Sequence, residues 1–161
     1  MVKDNLVPWF WTRLREYAER PCLLMESRSF SYGDLMARVA DLGAALEEHT
    51  PPGAVVALRS DFSLDGIAAL LAMAQHGRIA VPVVTRKAAE FEARLKVAAV
   101  SHVWDLQAAG EEPDWRVIET PGAVHPWVRD LGEKGAPGLI LFSSGSSGEP
   151  KAMLHDLGAL L

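Results

Sequence analysis

Residues Leu139-Ile140-Leu141-Phe142-Ser143-Ser144-Gly145-Ser146-Ser147-Gly148-Glu149-Pro150-Lys151 join a short apolar run to a stretch of hydroxyls and glycines that ends on a cation. Each residue type in that order suits the holding of an anion. Gly145 and Gly148 can take positive φ and let backbone N–H groups approach an oxygen with no Cβ in the way. Ser143, Ser144, Ser146 and Ser147 add hydroxyl donors, and Lys151 adds a compact positive charge. The run Leu139 to Phe142 is β-favouring and predicts a buried strand of a parallel sheet. Such a strand would deliver the loop to the sheet's carboxyl edge, where open α/β sheets bind ligands.

Other chemistries fit this segment less well. A Walker-type nucleotide loop needs Gly, four residues, then Gly-Lys and a metal-binding Ser or Thr. Here only Ser146 and Ser147 separate the glycines, Pro150 precedes the lysine, and Ala152 stands where the hydroxyl would be. A flexible Ser/Gly connector is a further alternative. A connector would not be entered from Leu-Ile-Leu-Phe and left through Glu-Pro-Lys into the apolar Met153-Leu154. A hydrolase triad of a loop serine with His155 and Asp156 lacks the Gly-x-Ser-x-Gly elbow.

The segment from Ile140 to Lys151 resembles the phosphate-binding signature of the adenylate-forming acyl- and aryl-acid ligases: acyl-CoA synthetases, luciferases and peptide-synthetase adenylation domains. Ser147 where threonine is commoner and Ala152 where glycine is usual depart from the pattern without removing a phosphate donor. Phe30-Ser31-Tyr32-Gly33-Asp34-Leu35 is similar to the family's early helix entry. Leu71 to Val83, an apolar helix running through Gly77 into Ala80-Val81-Pro82, is similar to its next block. Leu157 stands where a second histidine is frequent.

The resemblance implies an AMP-forming, ATP-dependent acid–thiol ligase. Ser143, Ser144, Gly145, Ser146, Ser147, Gly148 and Lys151 would hold the ATP phosphates with Mg2+, and CoA or phosphopantetheine would accept the acyl group. The family's aromatic-Gly-x-Thr-Glu block, ribose-binding aspartate, hinge and C-terminal catalytic lysine have no counterpart among residues 1–161. The expectation is therefore an incomplete N-terminal adenylation (AMP-binding) domain, inactive alone, with no catalytic residue assigned. The alternative is a noncatalytic α/β module that folds or pairs with a separate chain, such as the missing remainder of the domain.

Composition narrows the classes further. A hydrophobic content of 49% and a charged content of 23% belong to an ordinary globular domain. The net charge of −5 argues against nucleic-acid binding, which calls for a basic face. Cys22 is the single cysteine, and its neighbours Leu23-Leu24-Met25 predict a strand in which it reads as a small buried hydrophobe. The five histidines show no metal-ligand spacing, so no protein-held metal is expected. No stretch is apolar for the length a membrane span needs, and a cytoplasmic location is the expectation.

The rest of the sequence supplies alternating strands and helices to position the loop. Phe10, Trp11, Leu14 and Tyr17 mark one face of a helix over 7–20. Ser31 and Asp34 predict the start of a second helix, buried through Leu35, Val39, Leu42 and Leu46 and ended by Thr50-Pro51-Pro52-Gly53. Strands are expected at 54–58, 79–84, 102–105 and 115–119. A helix over 64–76, capped by Asp61 or Ser63 and stopped at Gly77, and another carrying Phe91, Leu95 and Ala98 lie between them. A connector falls near 106–137, its weakest point around Thr120-Pro121-Gly122. The fold class is α/β: a layered, flavodoxin-like βαβ subdomain, a piece of the family's large N-terminal domain, with a parallel sheet and helices on both faces.

Overall fold

The computed structural model describes residues 8–25, 27–85, 87–106, 114–119, 124–143 and 151–160. Helix α1, Pro8–Glu16, opens on a proline whose missing N–H costs a helix nothing at its first turn. It buries Trp11 and Leu14, while Trp9 stays 55% exposed. An antiparallel hairpin follows, β1 (Pro21–Met25) with β2 (Arg28–Ser31). Of this pair only the strand around Cys22 is legible in the sequence. The Cys22 thiol donates to the Ser31 carbonyl at 3.2 Å, and burial pushes its pKa up.

Ser31 then caps α2, Tyr32–His49. Its Oγ accepts from the Asp34 N–H at 3.1 Å, and the Asp34 carboxylate accepts from the Ser31 N–H at 2.8 Å, closing a capping box. Those two donations from Ser31, backbone first and hydroxyl second, hold the Asp34 pKa below the usual carboxylate value. Leu35, Val39, Leu42 and Leu46 line the buried face.

The central sheet takes β3 (Val55–Arg59), β4 (Ile79–Pro82), β5 (His102–Asp105), β6 (Asp114–Val117), β7 (Gly138–Ser143) and β8 (Lys151–Asp156), in the order β6-β5-β3-β4-β7-β8. The four inner strands run parallel. The parallel sheet read from the sequence is thus present, and both outer strands are antiparallel to their neighbours. β4 stops at Pro82, two residues short of the expected Val84, which is 74% exposed.

Helix α3 (Leu64–Gln75) is capped by Ser63, not Asp61: the Gly66 N–H donates to Ser63 Oγ at 3.0 Å. Its Ala68, Ala69, Ala72 and Met73 are fully covered between α2 and the sheet, joined by Val56, Leu58, Ala80 and Trp104. The opposite face receives α4 (Ala88–Val97) and α5 (Pro126–Glu133) through Phe91, Leu95, Val128 and Leu131, against Val55, Ala57, Val81 and Ile140. The sheet is thus covered on both faces. Within the segment 106–137, β6 matches the strand expected at 115–119, and α5 is a helix where the sequence reading has only a connector. β6 is held by stacking: Trp115 lies on Trp104 at 4.5 Å between ring centroids and on His49 at 4.8 Å.

Candidate phosphate-binding edge

β7 ends on Ser143, the first residue of the hydroxyl- and glycine-rich segment. Its parallel pairing with β4, Ile79↔Gly138 and Ala80↔Leu139, aims its far end at the carboxyl edge of the sheet. Gly138 is needed at the start, because a Cβ there would lie 2.7 Å from Leu131 and 3.0 Å from Ile79. Along the strand Gly138 and Ile140 are buried, Ile140 to 2% exposure, while Leu141 is 38% exposed. The fully buried strand read from Leu139–Phe142 is therefore a next-to-edge strand, flanked by β8.

β8 returns antiparallel through six register pairs, from Gly138↔Asp156 to Ser143↔Lys151. Directly opposite residues in such a ladder present their side chains to the same side. The hydroxyl that opens the segment and the ammonium that closes it are thus brought to one side of the hairpin, both exposed. Ser144, Gly145, Ser146, Ser147 and Gly148 lie outside the described residues. The triad drawn from His155 and Asp156 does not form. They are consecutive in β8 and point to opposite faces, and the Asp156 carboxylate accepts from the Ala159 N–H at 3.2 Å.

The neighbouring strand ends add charge to the same edge. Arg59 at the end of β3 pairs with Asp105 at the end of β5 at 3.0 Å, and its guanidinium lies 5.0 Å from the Phe91 ring centre. A cavity of about 390 Å3 opens there, lined by Arg59, Thr85, Lys87, Phe91, Asp105 and Arg116 among others. Next to β7, Arg94 stacks over Phe142 at 5.4 Å and pairs with Glu90. Sequence reasoning missed this pair, although Glu90 and Arg94 stand at i,i+4 spacing on a readable helix. His102 sits at the amino end of β5, the opposite edge. Among the described residues no three His, Cys, Asp or Glu side chains gather as a metal site, and no helix is long and apolar enough to cross a membrane.

Known proteins are similar to this chain in sequence and in fold. The chain is 28% identical over 182 residues to the nonribosomal peptide synthetase nanA of Aspergillus nanangensis, covering 99% of this chain and 7% of that protein. It is 35% identical over 77 residues to the acetyl-coenzyme A synthetase of Salmonella typhi, covering 40% of this chain and 11% of that one. The fold matches the N-terminal subdomain of NpsA from Klebsiella oxytoca, solved in complex with 3-hydroxyanthranilyl-AMSN, with a TM-score of 0.71 at 21% identity. That match covers 94% of this chain and 40% of the subdomain. With a mostly parallel sheet covered by helices on both faces, and with the family model for AMP-binding enzymes matching residues 10–161, this chain belongs to the AMP-binding enzymes.

Proposed function

We propose that the chain is the leading part of the large domain of an ATP-dependent carboxylic-acid-activating ligase, and that residues 143–151 are its phosphate loop. In this reading ATP and an acid give an acyl-adenylate and pyrophosphate, and CoA or a carrier phosphopantetheine then takes the acyl group. Ser143, Ser144, Gly145, Ser146, Ser147, Gly148 and Lys151 orient the β- and γ-phosphates and stabilise the charge that builds on the leaving group. Mg2+, when bound, would supply further charge neutralisation to those oxygens. Adenylation chemistry of this kind fits a cytoplasmic setting. The observation that carries the reading is the Ser143↔Lys151 pairing at the carboxyl edge, which sets an oriented hydroxyl and a cation at the two ends of the segment.

The test is acid-dependent exchange of labelled pyrophosphate into ATP by the intact ligase that carries this segment. Lys151→Ala is expected to depress exchange by on the order of a hundredfold, and undiminished exchange overturns the assignment. The 161-residue chain by itself is expected to give no exchange, since it spans only 40% of the matched NpsA subdomain. Exchange by the purified chain would overturn that part.

A second reading, a noncatalytic module that pairs with a separate chain, is favoured by β8. This strand ends the sheet and runs its six register pairs without a bulge. Its middle, Ala152-Met153-Leu154, carries no charge, although exposed edges are usually blunted by charge, proline or bulges. Met153 is 45% and Leu141 38% exposed. A cavity of about 640 Å3 lies beside the hairpin, bounded by Val97, Trp127 and Leu154. The coding sequence after Leu161 discriminates: more adenylation-domain sequence supports the enzyme, and a stop codon supports the paired module.

A further inference from the structure

The strand that feeds the proposed phosphate loop outruns its parallel partner. Among the described residues the β4–β7 ladder holds the pairs Ile79↔Gly138 and Ala80↔Leu139, while β7 continues to Ser143. β4 ends at Pro82, which has no N–H with which to extend a ladder. From Ile140 onward the backbone partners of β7 come from β8, an edge strand. With only an edge strand as backbone partner there, side-chain contacts from the helical layer are left to hold the hairpin end against the body of the sheet.

That contact is Arg94 on Phe142. The guanidinium carbon lies 5.4 Å from the ring centre, within cation–π range. Arg94 projects from α4, which is anchored by Phe91 at 6% and Leu95 at 3% exposure in the core that also contains Ile140. Its terminal nitrogen donates to one oxygen of Glu90. The other oxygen accepts from the Thr85 hydroxyl at 3.0 Å, and Thr85 Oγ1 in turn accepts from the Lys87 N–H at 3.3 Å. A continuous set of contacts thus runs from the exit of β4 to the residue before Ser143. Arg94 Nε is buried with no hydrogen-bond partner. A buried donor left unpaired is costly, which fits a guanidinium held in place to stack on a ring at the expense of a full set of hydrogen bonds.

We propose that Arg94 is a positioning residue for the phosphate loop: clamped by Glu90 and Thr85, it holds Phe142 and so sets the direction in which β7 presents Ser143 opposite Lys151. This rests on the reading of residues 143–151 as a phosphate site. Arg94 acts through Phe142 and touches no phosphate itself.

The experiment is amide NMR on the 161-residue chain, free and titrated with magnesium pyrophosphate, for the wild type, Arg94→Ala, Arg94→Lys, Phe142→Leu and the Arg94→Ala/Phe142→Leu double variant. Without ligand, Arg94→Ala should move the Ser143 and Lys151 amide signals, and should no longer do so once Phe142 is Leu. Pyrophosphate affinity read at those amides should fall roughly three- to thirtyfold in Arg94→Ala. Arg94→Lys should recover most of it, and the double variant should lose no more than the worse single one. If Arg94→Ala fails to fold, Glu90→Gln carries the test, with a loss in the same direction. Wild-type affinity in Arg94→Ala, or additive losses in the double variant, overturns the positioning role and leaves the phosphate site standing. No perturbation of Ser143 or Lys151 by pyrophosphate in the wild type overturns the phosphate site, and the positioning role with it.

Discussion

Arg78, at the start of β4, reaches across the bottom of the sheet to Thr50, the residue that ends α2. Its Nε donates to Thr50 Oγ1 at 3.1 Å and a terminal nitrogen donates to the Thr50 carbonyl. The remaining terminal nitrogen donates to the carbonyl of His76, the C-cap of α3. Arg78 is 2% and Thr50 3% exposed. One buried cation therefore serves the carbonyl ends of two helices, the ends where the macrodipole is negative. Burial pulls the Arg78 pKa below its ordinary value, but guanidinium stays charged at any working pH.

Replacing Arg78 with Met keeps much of the buried volume and strands the carbonyls of Thr50 and His76. The expected loss is on the order of 3 kcal/mol of unfolding free energy, from buried acceptors left unpaired. Thr50→Val removes only the hydroxyl partner and should cost about 1 kcal/mol. Urea unfolding of both variants checks this, and a loss in Arg78→Met no larger than in Thr50→Val would show that the helix ends find other donors.

Gly53 holds φ of +78°, and a Cβ built on it would stand 2.2 Å from the carbonyl oxygen of Gly132 in α5. The turn into β3 and the α5 backbone touch with no room for a side chain. Gly53→Ala combines left-handed strain of about 1–3 kcal/mol with a clash against backbone that cannot rotate away. Gly135→Ala shares the positive φ, at 60°, but has nothing within 4 Å of its Cβ. Thermal melts of the two variants should separate the effects, with Gly53→Ala clearly the less stable. Equal melting points would mean that α5 shifts freely.

Legibility in the sequence followed the range of the interactions. Ser31, Asp34, Leu35 and Val39 lie within one helix, so capping chemistry and a period of 3.6 were enough to place α2. β3, β4 and β5 were readable because both of their faces are buried. β6, with Trp115, and β8, with Met153, belong to the sheet through pairing with one neighbour each. Short local patterns do not encode the direction of such pairing, so the antiparallel edges were missed. α5 was missed because Val128 and Leu131 are its only buried side chains, too few to form a periodic signal. At the candidate site, Ser143 and Lys151 were named from residue type and order alone. Arg94, Glu90 and Thr85 matter through a contact to Phe142 some fifty residues away, as numbered in the chain, and no spacing rule reaches that far.

His102 makes stability depend on pH. Burial, and after it the charge of Arg78, holds its pKa below the ordinary 6.5, while its Nδ1 lies 2.9 Å from Ser101 Oγ. As the pH falls through 6.5 the unfolded chain takes up this proton before the native one does. The contribution of neutral His102 is therefore complete above that pH and is lost below it, down to the native pKa. His102→Gln should reduce the difference between urea midpoints measured at about pH 7.5 and pH 5.5. An unchanged difference would overturn this role of His102.

The last prediction separates the two half-reactions of the proposed ligase. Ser143 and Lys151 face one another at the ends of the loop, and the phosphates they are proposed to hold depart as pyrophosphate when the adenylate forms. Loss of Lys151, or of the Ser143 and Ser146 hydroxyls together, should therefore slow adenylate formation and spare transfer to the thiol. One oriented donor to developing charge contributes on the order of 3 kcal/mol in the transition state, about a hundredfold in rate. A cluster of four serines is partly redundant, so single serine changes should fall well short of that and the combined changes should approach it. Single-turnover reactions of the intact ligase, started once from ATP and once from preformed acyl-adenylate, isolate the steps. Equal slowing of both would mean that the loop only supports the fold of the β7–β8 hairpin, because a distorted hairpin would impair both steps alike.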